Sequence, residues 1–421
     1  PNANDIYLLC DINSWKKTEK YKFTRLNEDV FELTIDKTLL PHKTLYKLLV
    51  EWNNGSGQRI PSYARRVVQD EDTKIFTAQI WQPHHLYKWK VEQFVPPFKH
   101  PLIYEAHIGM AQDEEKVGTY TEFKNEILPR IAKAGYNTVQ LMAIQEHPYY
   151  GSFGYHVSNY YAPSSRFGTP DELKALIDKA HQMGMAVIMD IVHSHAVKNT
   201  EEGLGLFDGN PALYFHNDGR RIHSAWDSLC FDYGKNSVLH FLLSNCKYWL
   251  DEFKFDGFRF DGVTSMLYYD HGLGKDFTSY EQYFDGNQDI DAITYLTLAN
   301  QLIHENKPQA ITIAEEMSGF PGLCGKHDEG GMGFDYRLAM GMPDYWIKTI
   351  KEKRDEDWDV GQIFYELTTH RPEEKVISYS ESHDQALVGD KTIFFRLAEK
   401  ETYHFMSKES QSLIIDRAIA L

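Results

Sequence analysis

The stretch FKFDGFRFDGVTSM, residues 253–266, sets two aspartates and one arginine into a short run of Phe and Gly. Side chains alternate along a strand. Phe255, Gly257, Arg259 and Asp261 therefore share one face, and Asp256, Phe258 and Phe260 the other. Arg259 and Asp261 project together at the carboxyl end, and Gly257 leaves room beneath them. Asp256 stands at the opposite end and reads as a turn or pairing acid at the strand entrance. An arginine beside Asp261 keeps its carboxylate ionised and oriented, the condition a carboxylate nucleophile needs.

On both sides of this strand the pattern alternates. LIYEAHIG (102–109), NTVQLMAI (137–144), MAVIMDIV (185–192), KFDGFRFD (254–261) and QAITIAEE (309–316) read as strands. FDYRLAM (334–340) and VISYSES (376–382) read as a sixth and a seventh. Helical patterns fall between the first five: EFKNEILPRIAKAG closing on Gly135, TPDELKALIDKAHQMG (169–184), SVLHFLLSNCKYWLDEF (237–253) and IDAITYLTLANQLIHEN (290–306). The second of these has Thr169 at the cap, Pro170 in the first turn and Gly184 at the end. Strands that alternate with helices and are apolar throughout are parallel and covered on both faces. So many βα units in one run predict a (β/α)8 TIM barrel, whose active site lies at the carboxyl ends of the strands. Asp190 ends the third strand, Arg259 and Asp261 the fourth, Glu315 the fifth, and His383 and Asp384 the seventh. That is a convergent set of acids, imidazoles and a guanidinium on one rim. Glu315 follows ITIA, whose apolar walls suit a proton donor. Glu316 has the opposite parity and faces away. Two carboxyls on adjacent strands match the spacing of a retaining glycosidase, about 5–5.5 Å.

Residues 1–95 read differently, as short strands (IYLLCDI, VFELTI, TLYKLLV, FTAQIW) broken at NSW, RLNED and NNGSG. This predicts an N-terminal β-sandwich. The proline-bearing QFVPPFKHP (93–101) separates it from a second domain, 96–421. The net charge of −17 argues against nucleic acid and anionic membranes as partners and favours a neutral or cationic ligand. The 8 Trp and 26 Tyr include rings suited to stacking on sugars. Cys10, Cys230, Cys246 and Cys324 are far apart without a C-x-x-C, which fits a reducing compartment and neither a disulfide scaffold nor structural zinc. No apolar run is long enough to cross a bilayer, and PNANDIYLLCD is not a signal peptide.

DIVHSH (190–195), GFRFD (257–261), IAEE (313–316) and SHD (382–384) resemble, in order, the four short motifs of the α-amylase superfamily, glycoside hydrolase family 13. QEHPYYGSFGYHVSNYYAPSSRFGTPDEL, GFRFDGVTSMLY, IAEEMSGFPGLC, GGMGFDYRLAM and SESHDQALVGDKT look more narrowly like 1,4-α-glucan branching enzymes with eukaryotic-style sequences. The resemblance implies roles position by position. Asp261 would be the nucleophile, Glu315 the general acid/base and Asp384 the transition-state stabiliser. His195 and His383 would bond the sugar at the cleavage site. Arg259 would orient Asp261, Asp190 would order the site, and Tyr155 would stack beneath the sugar. Residues 1–95 resemble a carbohydrate-binding module of family 48, which makes Trp15 of DINSW an outer glucan contact or a core ring.

The implied reaction is a retaining double displacement that cleaves α-1,4-glucan (glycogen, amylose, amylopectin) and transfers the piece to a 6-hydroxyl. The resemblance also implies a cytoplasmic monomer without cofactor or metal. Where amylases have a calcium-ligating Asn this chain has Ser194, so no structural Ca²⁺ is expected. The sequence stops at SLIIDRAIAL, before the family's eighth strand and C-terminal β domain. A polypeptide ending there is expected to be poorly stable and nearly inactive. Three other readings remain: an α-glucan hydrolase or debranching enzyme, a non-catalytic glucan-binding protein, and a metal hydrolase built on the H-x-H pair His193 and His195 with His383 and Asp384.

Overall fold

The structure, a computed structural model, describes residues 2–28, 30–97, 99–385, 391–405 and 411–420. Phe98 of the expected linker and residues 386–390 of the SESHDQALVGDKT motif lie outside them. The chain divides into two compact units, Pro1–Lys275 with Ser279–Thr312, and Asp276–Thr278 with Ile313–Leu421.

The first unit begins with an antiparallel sheet. Ala3–Cys10 pairs with Leu45–Trp52, which pairs on with Phe76–Gln79 and then Val67–Gln69. A second small ribbon joins Thr24–Arg25 to Phe31–Glu32. Two details differ from the sequence reading. VFELTI forms strand only at Phe31–Glu32. NNGSG is not simply a break: Asn53 and Asn54 make the turn, and Gly55–Arg59 returns as a strand against Leu45–Trp52. Glycine and polar residues there hide the strand from any hydrophobic pattern, because its pairing is supplied by main-chain bonds.

This sheet is tied to the βα part of the same unit by buried polar contacts. Arg59, 2% exposed, donates from Nε to the Leu206 and Phe207 carbonyls at 3.1 and 3.2 Å. Arg66 bonds the Gly168 carbonyl, and the Phe76 amide donates to Glu202 at 2.8 Å. Asp178, on the helix Pro170–Gln182, accepts from Tyr87 and from the amides of Lys90 and Val91. Past the antiparallel sheet the chain is therefore bonded onto the outside of a helix.

Four parallel strands follow in the first unit: Ile103–Ala106, Thr138–Leu141, Ala186–Ile191 and Gly257–Phe260, neighbours in that order. The middle two are buried along their whole length, as apolar parallel strands must be. Helix Pro170–Gln182 starts in a capping box, with the Thr169 hydroxyl bonded to the Glu172 amide and Glu172 reaching back, as its sequence predicts. Helices Asn236–Phe253 and Ile290–Asn306 flank the fourth strand in sequence. The strand Ile311–Ala314 begins in the first unit and ends in the second. In the second unit it continues in parallel register with Tyr336–Leu338, which pairs with Val376–Ile377. The seven parallel strands expected of the βα series are all present. The last is shorter than VISYSES implied, so Ser382, His383 and Asp384 stand on the segment beyond it.

Gly257 opens the fourth strand with no space for a side chain. A Cβ there would run into the backbone of Ile311. The room inferred beneath Arg259 and Asp261 is taken up by the neighbouring chain.

Candidate active site

Parity along the fourth strand holds, and register brings a third residue to the pair. Asp190 lies opposite Arg259 across the parallel ladder. Arg259 is 2% exposed and Asp190 fully buried. One guanidinium nitrogen of Arg259, NH1, donates to Asp261 Oδ1 at 2.8 Å and to Asp190 Oδ2 at 3.3 Å. Asp190 Oδ2 also accepts the Tyr155 hydroxyl at 2.7 Å. Burial first, and then the Asp190 charge, push the Tyr155 phenol well above its ordinary value, so it remains a donor. Asp261, with a side chain 12% exposed, reaches the surface, as does part of Tyr155. A carboxylate oriented by a buried arginine and still partly exposed suits attack on an electrophilic carbon.

Ser194 joins the array. Its Oγ lies 3.4 Å from Asp261 Oδ2 and 2.9 Å from His195 Nδ1. The sequence singled it out only as the residue standing where amylases have a calcium-ligating Asn; the structure makes it a link between the acid and the imidazole. Gly262, at φ +64°, passes so close that a Cβ would lie 3.0 Å from Ser194 Oγ and 2.8 Å from Trp226 Cη2. His195 is 4% exposed, and burial pushes its imidazole down to about 3. His195 is therefore neutral at every pH at which the protein is handled. Its ring resonances are expected not to move in a titration from pH 8 to pH 5, while exposed histidines titrate near 6.5; a midpoint for His195 inside that range would refute the assignment.

The H-x-H pair does not converge. His193 is fully buried and spends both ring nitrogens, Nδ1 on the Tyr295 hydroxyl and Nε2 on Asn245 Oδ1 at 2.9 Å. Of the two, His195 sits with Asp261 and Ser194, because the chain leaves strand geometry after Ile191 and the two rings part. The metal-hydrolase reading loses His193 as a ligand.

Asp256, the other aspartate of the strand, is fully buried at the opposite end. It accepts from the Val187 amide and His181 Nε2, both at 2.8 Å, and from Lys307 Nζ at 2.7 Å. Phe94 stacks on His181 with ring centres 4.1 Å apart. Asp256 is thus a packing anchor.

In the second unit, Glu315 directly follows the strand Ile311–Ala314 and is partly exposed. Glu316 is 1% exposed and turned into the protein, accepting from the amides of Ser318, Gly319 and Phe320 and paired with Arg337, which also holds Glu374. The opposite parity read for these two glutamates is what their surroundings require. His383 Nε2 lies 3.3 Å from Asp384 Oδ1, and both side chains are partly exposed. Trp15 stays with the N-terminal sheet, partly exposed, its indole donating to Asp11 at 2.8 Å.

Two rim residues were not singled out from sequence. His156 packs edge-on to His195 at 6.0 Å, and Trp226 lies 5.0 Å from the same ring. Both come from loops without periodicity, so no pattern marks them.

The family model of the alpha amylase catalytic domain matches residues 118–203. The chain is 49% identical, over its whole length, to the 1,4-alpha-glucan-branching enzyme of Yarrowia lipolytica, of which it covers 64%. It is likewise 49% identical over its whole length to the chloroplastic/amyloplastic 1,4-alpha-glucan-branching enzyme 2-2 of Arabidopsis thaliana, covering 53% of it. The chain thus spans between half and two thirds of the length of these relatives. Among solved structures, the catalytic module of the pneumococcal glycogen-degrading virulence factor SpuA matches with a TM-score of 0.67 at 19% identity, over 94% of this chain and 61% of that one.

The parallel strands, preceded by antiparallel sheets, have an α-amylase-like fold. Sequence narrows the class further. The chain belongs to the 1,4-α-glucan branching enzyme family within glycoside hydrolase family 13.

Proposed function

We propose that this chain carries the catalytic centre of a 1,4-α-glucan branching enzyme, and that its substrate is a linear or branched α-1,4-glucan. The observation that carries the reading is the buried Asp190–Arg259–Asp261 array, with Tyr155 and His195 around it, at the carboxyl ends of parallel strands. Asp261 attacks the anomeric carbon. The glycosidic C–O bond breaks as Glu315 gives its proton to the leaving oxygen, and a glycosyl ester on Asp261 results. A glucan 6-hydroxyl then attacks that ester, Glu315 takes its proton, and an α-1,6 branch forms as Asp261 leaves. Retention follows from two displacements at one carbon.

The chain's own groups serve these steps. Arg259 holds one oxygen of Asp261 and orients its carboxylate for attack. Asp190 keeps Arg259 and Tyr155 in place, and Tyr155 lies beneath the sugar. Neutral His195, together with His383, bonds sugar hydroxyls, and Asp384 stabilises positive charge building at the ring. We assign residues 1–95, with Trp15, to a carbohydrate-binding-like module and residues 96–421 to the catalytic barrel. We also assign the protein to the cytoplasm as a monomer. Free thiols at Cys10, Cys230, Cys246 and Cys324 support a reducing compartment. Among the described residues no helix is long and apolar enough to cross a membrane.

Incubation with amylose tests the reaction. The iodine colour is expected to fall and α-1,6 links to appear, with few new reducing ends. Steady release of reducing sugar would instead make the protein a hydrolase.

A further inference from the structure

We propose that Trp226 is a sugar-binding residue beside the cleavage point, providing the stacking platform for the glucose unit next to the one attacked by Asp261. The proposal rests on the reading of Asp261 as the glycosyl nucleophile, and adds to it a contact outside the family motifs.

Trp226 stands in the connection between two short antiparallel strands, Ile222–His223 and Ser228–Leu229. One face of its indole lies flat on His223, with centroids 4.0 Å apart and planes 3° apart. His223 is clamped in turn by His271, stacked at 4.2 Å. Both of its nitrogens are engaged: Nδ1 accepts from the Trp226 amide at 3.2 Å, so Nε2 carries the hydrogen and donates to Ser265 Oγ at 2.8 Å. Burial pushes His223 down to about 4, so the ring directly beneath the indole is uncharged. The indole is therefore fixed in one orientation before any ligand arrives, which removes the ordering cost of binding.

That orientation brings the ring to the residue that follows the reacting carboxylate. The six-membered ring of Trp226 reaches the backbone directly after Asp261; it is the ring atom Cη2 that a Cβ on Gly262 would meet at 2.8 Å. On another side it faces His195, centroids 5.0 Å apart. A glycine at position 262 is what allows a large aromatic ring and the nucleophile to share this corner. A tryptophan that served only as core would be covered, as Trp249 is at 0% exposure. Trp226 instead is only partly buried. A rigid, partly open indole beside neutral imidazoles, His195 and His156, offers a flat apolar surface flanked by hydroxyl partners without net charge. That chemistry fits a neutral pyranose chain and repels nothing in it.

The test uses the full chain and maltoheptaose. In an Asp261→Asn background, where turnover is blocked, Trp226→Ala is expected to weaken maltoheptaose binding about tenfold by calorimetry, and Trp226→Phe by only about threefold. In the active protein, Trp226→Ala is expected to raise KM for amylose more than it lowers kcat, and to change the lengths of chains transferred. A second readout does not depend on the alanine variant folding: maltoheptaose is expected to alter the tryptophan fluorescence of the Asp261→Asn protein, with that change largely lost in Trp226→Phe. Binding by Trp226→Ala within twofold of its parent, or an unchanged fluorescence response in Trp226→Phe, would overturn the proposal while leaving the nucleophile reading intact. No binding of maltoheptaose by Asp261→Asn itself would overturn the site reading, and the role of Trp226 with it.

Discussion

Asp261→Asn is expected to abolish turnover of α-glucan, lowering kcat by about 10⁴-fold or more, while the protein still folds. An amide has nearly the shape of the carboxylate but cannot form the glycosyl ester. Its consequences for stability are small because the buried charge nearby stays compensated: Arg259 keeps Asp190 at 3.3 Å, and the Asp261 side chain already touches solvent at 12% exposure. Rates on amylose, set beside thermal melts of the same preparations, check both halves. Residual activity above about 1% of the parent would mean that the ester forms elsewhere. A large drop in melting temperature would mean that Asp261 serves the fold as well as the chemistry.

Asp256→Ala is expected to do the reverse. This carboxylate is fully buried and satisfies a main-chain amide, an imidazole and an ammonium group. Its removal leaves the Val187 amide and His181 without an acceptor, and Lys307 without its counter-ion. Breaking one side of a buried ion-paired group costs about 3–5 kcal/mol. The melting temperature should fall by several degrees or more, and Asp256→Asn should fall less because one acceptor for Val187 survives. Activity per folded molecule should stay near that of the parent, since Asp256 lies at the strand end away from the rim. Calorimetric melts and active-site-normalised rates decide it. An Asp256→Ala protein that melts like its parent, or one that folds fully and is inactive, would refute the division of labour between the two aspartates.

That division was legible from alternation alone. Four residues of strand, Gly257–Phe260, are enough to separate an entrance acid from an exit acid, because successive side chains point to opposite faces and burial holds the register. The same rule separated Glu315 from Glu316. It does not reach His193 and His195, where the chain has already left the strand and the two rings go to different partners. The Gly55–Arg59 strand was missed for a related reason: main-chain pairing needs no apolar side chains, so composition does not announce it. Trp226 and Ser194 acquire meaning only from what packs on them.

By itself the sequence determined the βα order, the family, and which residues stand at strand ends, because periodicity and short motifs are local properties of the chain. The tertiary structure decided what local order cannot hold. It set Asp190 against Arg259 through the register of two strands 69 residues apart. It made Ser194 the bridge between Asp261 and His195, and it brought an indole from an unpatterned loop to the backbone of Gly262. Those contacts join residues distant in the chain, and only packing fixes which of them meet.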